Sequence, residues 1–319
     1  MEYYDVSSWV YRSSMNTKGT RDKSVLLKPG TEDEYFIKFP MKKEGRDYSM
    51  ETWSEILAYE IGKLLGFNVL RYDFGMFNDR AGCISKNMVS GQNESLIEGD
   101  SILMAYDPTY DPNDKGSYNR YTFSFVLKAL EKANLSKYSE DFVRILIFDS
   151  IIGNSDRHQS NWGFIQKVKP PKQKFFNMGK KTNDIDTKMA PIYDNGCCLG
   201  REFGEEQIKE RLNDTNKFNS YIHKGCAELR IGEKSNKKKN HFELLKSISN
   251  CNNNWKVFIV NEVKRIIKLY NKENITKVVS NIDSPLPEKI KINFGLSNLR
   301  KEFVVKVIDS RIKELKNIS

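Results

Sequence analysis

At 319 residues, with 39% hydrophobic and 29% charged residues, 15 Tyr and 18 Phe, the chain is long enough for one large domain or two lobes. It is too aromatic to be disordered. No run reaches the roughly 20 apolar residues of a membrane span, and Met1 to Asp5 lacks the basic start and apolar core of a signal peptide, so a cytosolic-type protein is expected. A net charge of +10 suits polyanions in general, but its densest run, Lys234 to Asn240, reads as a solvated loop, and neither nucleic acid nor membrane is singled out as a partner. Five cysteines, odd in number and without Cys-x-x-Cys spacing, indicate reduced thiols rather than a disulfide framework or zinc site.

In chain order, strand-like runs Ser7 to Arg12 and Ser24 to Leu27 flank a polar turn, and a third run, Glu34 to Phe39, stops at Pro40. Its alternation puts Tyr35, Ile37 and Phe39 on one face, Phe36 and Lys38 on the other. Glu51 to Phe67 has helical apolar spacing with Gly66 as its stop, and Leu70 to Met76 and Gly82 to Met88 follow as strands. This is a small sheet with one helix, the outline of a nucleotide-covering lobe. From about residue 89 polar loops and helices take over, so a boundary near 90 is expected, with lobes at 1–89 and 90–319. Tyr106 to Tyr118 reads as a long surface loop, Tyr121 to Ala133 as a helix, and Glu140 to Gly153 as an apolar core helix delivering Asn154 onward. Trp162 to Val168 and Met189 to Tyr193 read as a strand pair; beyond 205 the pattern is helical, notably at His241 to Ile248, Trp255 to Tyr270 and Leu299 to Leu315.

The chemistry concentrates in Asn154-Ser155-Asp156-Arg157-His158-Gln159-Ser160-Asn161 and Ala190-Pro191-Ile192-Tyr193-Asp194-Asn195-Gly196. Phosphoryl transfer needs a carboxylate to orient the attacking hydroxyl, an Asn five positions on for a metal, and a later Asp for the metal that bridges the phosphates. Asp156, Asn161 and Asp194 fit that order, and an amide and a carboxylate oxygen are hard ligands suited to Mg²⁺. Lys38, on a strand followed by a helix bearing Glu51, Glu55 and Glu60, is placed to reach the α- and β-phosphates of ATP; residue spacing does not choose among the three glutamates. The Lys18 to Lys23 turn has a single glycine, Gly19, and is equally readable as a phosphate cover using Lys23 or as an ordinary hairpin turn. Adenine is expected against the Ile84 to Met88 edge, beside Lys86 and Met88. His158 lacks a partner at ligand spacing and reads as loop support at the nucleotide. Arg157 reads equally as a phosphate holder or an ion-pair partner, and Cys197-Cys198 as small packing residues.

Asn-Ser-Asp-Arg-His-x-x-Asn followed by Ala-Pro-Ile-Tyr-Asp-Asn-Gly resembles the HipA-like serine/threonine kinases, in particular their compact CtkA type, over most of residues 10 to 310. The resemblance implies an α+β, two-lobed protein-kinase-like fold with a small β-rich N-terminal lobe and a larger, mainly helical C-terminal lobe. It implies an ATP- and Mg²⁺-dependent kinase acting on a protein substrate, including itself. Asp156 is similar to the family's catalytic Asp, Asn161 and Asp194 to its metal ligands, and Lys38 to its ATP lysine. Glu55, with Gly66 eleven positions on, matches the family's helix opening although Ser54 replaces the usual Asn; Gly19 to Lys23 matches its Gly-x-x-x-Lys segment. Toxin members carry a further N-terminal subdomain for antitoxin contact, whereas this chain starts near the first kinase strand, so no antitoxin partner is expected. Rival expectations are a lipid or sugar kinase and a pseudokinase binding module.

Overall fold

The structure is a computed structural model that describes residues 1–12, 23–41, 48–89, 91, 93–169, 185–232 and 237–318. Six strands, β1 (Tyr3–Asp5), β2 (Val10–Arg12), β3 (Lys23–Leu27), β4 (Glu34–Lys38), β5 (Asp73–Phe77) and β6 (Arg80–Lys86), form one sheet in the order β1-β5-β6-β4-β3-β2. β1 runs parallel to β5 and the other neighbours are antiparallel. β5 and β6 turn through Asn78 and Asp79, both at positive φ, as a two-residue hairpin matched to strand twist requires. One face buries Val6, Leu26, Ile37, Phe39 and Ile84 together; Phe74, Met76 and Cys83 join the main core with helix α1 (Met50–Leu64). The period-2 alternation of β4 therefore sends Phe36 and Lys38 away from Ile37 and into a cleft.

A second sheet, β7 (Glu94–Glu98), β8 (Gly163–Val168) and β9 (Ile185–Met189), is antiparallel with β8 central. Two expectations are corrected here. The stretch after residue 89 opens with a strand rather than only loops and helices, and the partner of β8 is Ile185–Met189, not Met189 to Tyr193. β7 offers only Leu96 and Ile97 between two glutamates, too little for an apolar pattern. β9 is a polar, mostly exposed edge, while the more apolar 189–193 run contains Pro191, which has no N–H for a ladder. β1 was also not anticipated.

The helices are α2 (Gly99–Tyr106), α3 (Phe123–Lys132), α4 (Ser139–Ile152), α5 (Glu205–Asn213), α6 (Thr215–Lys224), α7 (His241–Ser249), α8 (Asn253–Leu269), α9 (Lys272–Ser280), α10 (Glu288–Phe294) and α11 (Asn298–Lys316). α4 is apolar nearly all round because α7 and α11 pack against it in the core. It ends at Gly153 (φ +71°), whose N–H bonds to Asp149 O at 2.8 Å; this left-handed cap turns the chain sharply into Asn154. Among the described residues no helix is long and apolar enough to cross a membrane.

Candidate active site

A cleft of about 1100 Å³ lies between the first sheet and the helical part. Lys23, Lys38, Lys86, Met88, Asp156, His158, Asn161 and Asp194 all line it, and Glu55 lies directly behind Lys38. Gly19 lies outside the described residues.

Of the three glutamates on α1, Glu55 meets the lysine: Lys38 Nζ donates to Glu55 Oε1 at 2.7 Å and also to Asp194 Oδ1. Glu60 instead holds the Met1 amino group at 2.6 Å, and Glu51 pairs with Arg201 at 3.0 Å. Burial alone would depress the Lys38 pKa, but the Asp194 and Glu55 carboxylates outweigh it and hold the ammonium well above its ordinary range. It is charged at any physiological pH. Lys23 is its cross-strand partner in the β3–β4 register, and burial lowers the Lys23 pKa against the pull of Asp194. Two lysines side by side on a cleft wall repel unless anionic groups come between them.

The loop after Gly153 is fixed from behind by Arg157. Its Nε and Nη2 donate to Asp149 at 3.0 and 2.8 Å, Nη1 to the Asn161 carbonyl at 2.7 Å and to the Tyr193 carbonyl, and Nη2 also to Asn195 Oδ1 at 2.6 Å. The two readings of Arg157 are thereby resolved in favour of the ion pair. Both partners are buried; burial would lower the Arg157 pKa, yet Asp149 keeps it above the ordinary arginine range.

Asp156 sits on the cleft wall, its N–H held by Asn154 Oδ1 at 3.1 Å. Asn161 Nδ2 donates to the Asp156 carbonyl at 2.7 Å, which commits the amide nitrogen and turns Oδ1 away from that contact. Asp194 has φ +57°, a left-handed backbone rare for a non-glycine residue. The conformation is held because the next N–H, that of Asn195, donates to Glu55 Oε2 at 2.7 Å and the Asn195 side chain is held by Arg157. His158 Nδ1 accepts from Ser160 N at 3.3 Å, a support for the loop.

Along the same cleft an apolar patch forms where Leu70, Met88 and Leu96 pack on Ile165, Ala190 and Tyr193. The Lys86 ammonium, by contrast, pairs with Asp33 at 2.7 Å and is half exposed at the rim. Leu96 and the acids Glu98 and Asp100 also line the cleft and were not foreseen, because they enter on the unrecognised strand β7 and the start of α2. Asp100, buried, accepts from Ser160 Oγ at 2.9 Å and so braces the residue before Asn161. All five cysteines are free; Cys198 is buried as a packing residue, but Cys197 is only partly buried and touches Asp156.

Among the oxygens that line the cleft are the Asn161 amide oxygen and the Asp194 carboxylate, and among the described residues no group of three or more His, Cys, Asp or Glu could hold a metal. Two hard oxygens without a protein cage fit a magnesium ion that takes its remaining ligands from water and phosphate.

A sheet with one braced helix, a helical part and an ion-paired lysine in the cleft between them define a protein-kinase-like fold. A profile of the HipA-like C-terminal domain matches residues 15–272, and the chain belongs to that family. It is 21% identical over 291 residues to the serine/threonine-protein kinase CtkA of Helicobacter pylori strain J99, covering 89% of this chain and 78% of CtkA. The crystal structure of the H. pylori proinflammatory kinase CtkA superposes with a TM-score of 0.75 at 21% identity, covering 98% of this chain and 95% of that one. HipA of Shewanella oneidensis, from a complex with HipB and operator DNA, gives a TM-score of 0.49 at 13% identity, covering 98% of this chain and 67% of HipA. The α+β, two-lobed fold expected from the sequence is the fold found.

Proposed function

We propose that this chain is an ATP- and Mg²⁺-dependent protein serine/threonine kinase, with a β-rich lobe at 1–89 that covers the nucleotide and a catalytic and helical lobe at 90–319. The observation that carries the reading is the convergence of Lys38, held by Glu55, with Asp156, Asn161 and Asp194 on one cleft. A lysine charged against burial and braced by a helical carboxylate suits the α- and β-phosphates, with Lys23 beside it as a second cation. Adenine fits the apolar patch around Met88 and Leu96. Asn161 Oδ1 and the Asp194 carboxylate would hold Mg²⁺, which when bound with the nucleotide supplies charge neutralisation at the phosphates.

Asp156 then aligns the acceptor hydroxyl and accepts its proton as the bond from that oxygen to the γ-phosphorus forms and the bond from the γ-phosphorus to the bridging oxygen of the β-phosphate breaks, releasing ADP. The Arg157 network fixes the loop so that no reorganisation is needed at that moment. The relation to CtkA supports a protein Ser/Thr acceptor over a lipid or sugar, and the complete Lys38, Asp156, Asn161 and Asp194 set supports catalysis over a pseudokinase. Incubation with Mg-ATP followed by intact-mass and peptide mapping tests this directly. Phosphate appearing on Ser or Thr of the chain or of an added protein is the expected result; no transfer to any protein, with transfer to a lipid or sugar, sinks it.

A further inference from the structure

Asp156 is held from behind by a line of side chains that reaches α1. Cys197 Sγ lies 3.3 Å from Asp156 Oδ2, and among the described residues this is the hydrogen bond made by that carboxylate. Arg201 Nη2 lies 2.9 Å from the same sulfur, and its Nη1 lies 3.0 Å from Glu51 Oε1. Glu51 Oε2 in turn accepts from Met41 N at 2.9 Å, and the Arg201 guanidinium lies 4.7 Å over the Tyr48 ring. Further along α1, Ser54 Oγ donates to the Cys198 carbonyl at 3.0 Å and Glu55 accepts from Asn195 N. One side of the helix thus grips the whole stretch from Asn195 to Arg201.

The chemistry of the three groups fixes the direction of the bonds. A guanidinium can only donate and an ionised carboxylate can only accept, so the atom between them must do both. A thiol does so, accepting from Arg201 and donating S–H to Asp156. A thiolate would instead set an anion against the carboxylate. With Oδ2 occupied by the thiol, Oδ1 is left for an acceptor hydroxyl.

We infer that Cys197 is a positioning residue for Asp156, oriented by Arg201 and anchored through Glu51 to α1. The helix that sets Lys38 through Glu55 thereby also sets the carboxylate on the acceptor side, so both halves of the reaction are registered to one element. The catalytic part of this inference rests on the kinase reading; the contact itself does not.

Cys197→Ala and Cys197→Ser are compared with the unaltered chain, with thermal midpoints measured alongside. Because misplacement of a catalytic group is felt mainly in turnover, the Ala variant is expected to lower kcat about tenfold with KM for ATP within about twofold, and the Ser variant, which keeps a donor, to recover most of it. An unchanged kcat, or a fall explained by a lowered thermal midpoint that Ser does not rescue, overturns the inference. A second measurement needs no catalysis: the rate at which iodoacetamide alkylates Cys197 at about pH 7.5, followed by peptide mass mapping. The thiolate attacks carbon, iodide leaves and the thiol proton goes to solvent. Asp156→Asn is expected to speed this several-fold by removing the facing carboxylate, and Arg201→Ala to slow it. Equal rates in all three proteins overturn the arrangement. The expected pattern in a chain that transfers no phosphate supports the arrangement and overturns the kinase reading instead.

Discussion

Arg157 and Lys38 each anchor a buried charge network beside the same cleft, but the two are finished differently. Every arm of the Arg157 guanidinium has an acceptor, and both it and Asp149 are 2% exposed, so the network is closed. Lys38 has two carboxylates for one ammonium, and one of them, Asp194, is 34% exposed to the cleft. A saturated network fixes backbone, whereas one with excess negative charge facing solvent can exchange partners with a cation and phosphates. Scaffold and working site are thus separated although both are built from ion pairs.

The largest effect is expected from opening the closed network. Asp149→Ala leaves the Arg157 charge buried without its carboxylate, and the unfolding free energy should fall by about 3–5 kcal/mol, read by urea denaturation, with transfer lost as the loop loses its brace. Next comes Asp156→Asn, which should lower transfer by roughly 10²–10⁴-fold with the unfolding midpoint unchanged, since its carboxylate is not part of either network. Undiminished turnover would remove Asp156 from the mechanism.

Lys38→Met should reduce transfer by roughly 10²-fold or more and destabilise in a pH-dependent way. Burial already raises the Glu55 pKa above its ordinary 4.5; without the ammonium only the Asn195 N–H still opposes that, so the variant gains relative stability as Glu55 is protonated. Its deficit should be larger at about pH 7.5 than at about pH 5 in parallel denaturations. A pH-independent deficit would mean that Lys38 acts by packing alone.

The smallest effect lies away from the cleft. His241 on α7 is buried, and burial, with the neighbouring Arg311, lowers its pKa from 6.5 to about 3. Between those values the unfolded chain binds a proton that the folded one does not, so stability falls as pH drops below 6.5, by at most about 1.4 kcal/mol per pH unit. His241→Asn should flatten that slope between about pH 6.5 and 5 in urea titrations while leaving transfer at neutral pH intact.

Net charge, the most visible number in the composition, says little about the site. Residues 1–233, which supply nearly all of the cleft lining, hold 33 Lys and Arg against 34 Asp and Glu, whereas residues 234–319 hold 19 against 8. Residues 1–233 are thus close to charge-balanced, and the excess is carried by the helical end.

The sequence by itself determined what short-range periodicity can carry: the alternation that turns Lys38 away from Ile37, the core helix α4 with its glycine stop, and the Asp156 to Asn161 spacing on one loop. Residue spacing did not determine which of Glu51, Glu55 and Glu60 meets Lys38, which only the family resemblance picked as Glu55, nor that Arg157 is spent on Asp149, or that Cys197 reaches Asp156. Those pairs are 8 to 41 residues apart and are chosen by how α1 lies on the 194–201 segment and how α4 meets its own loop. The strands β1 and β7 were illegible for the same reason: each is short and acquires its ladder only from partners more than sixty residues away. Local pattern fixes which face a side chain takes, while the identity of its buried partner is set by packing that brings distant segments together, and the opposing charges must then match.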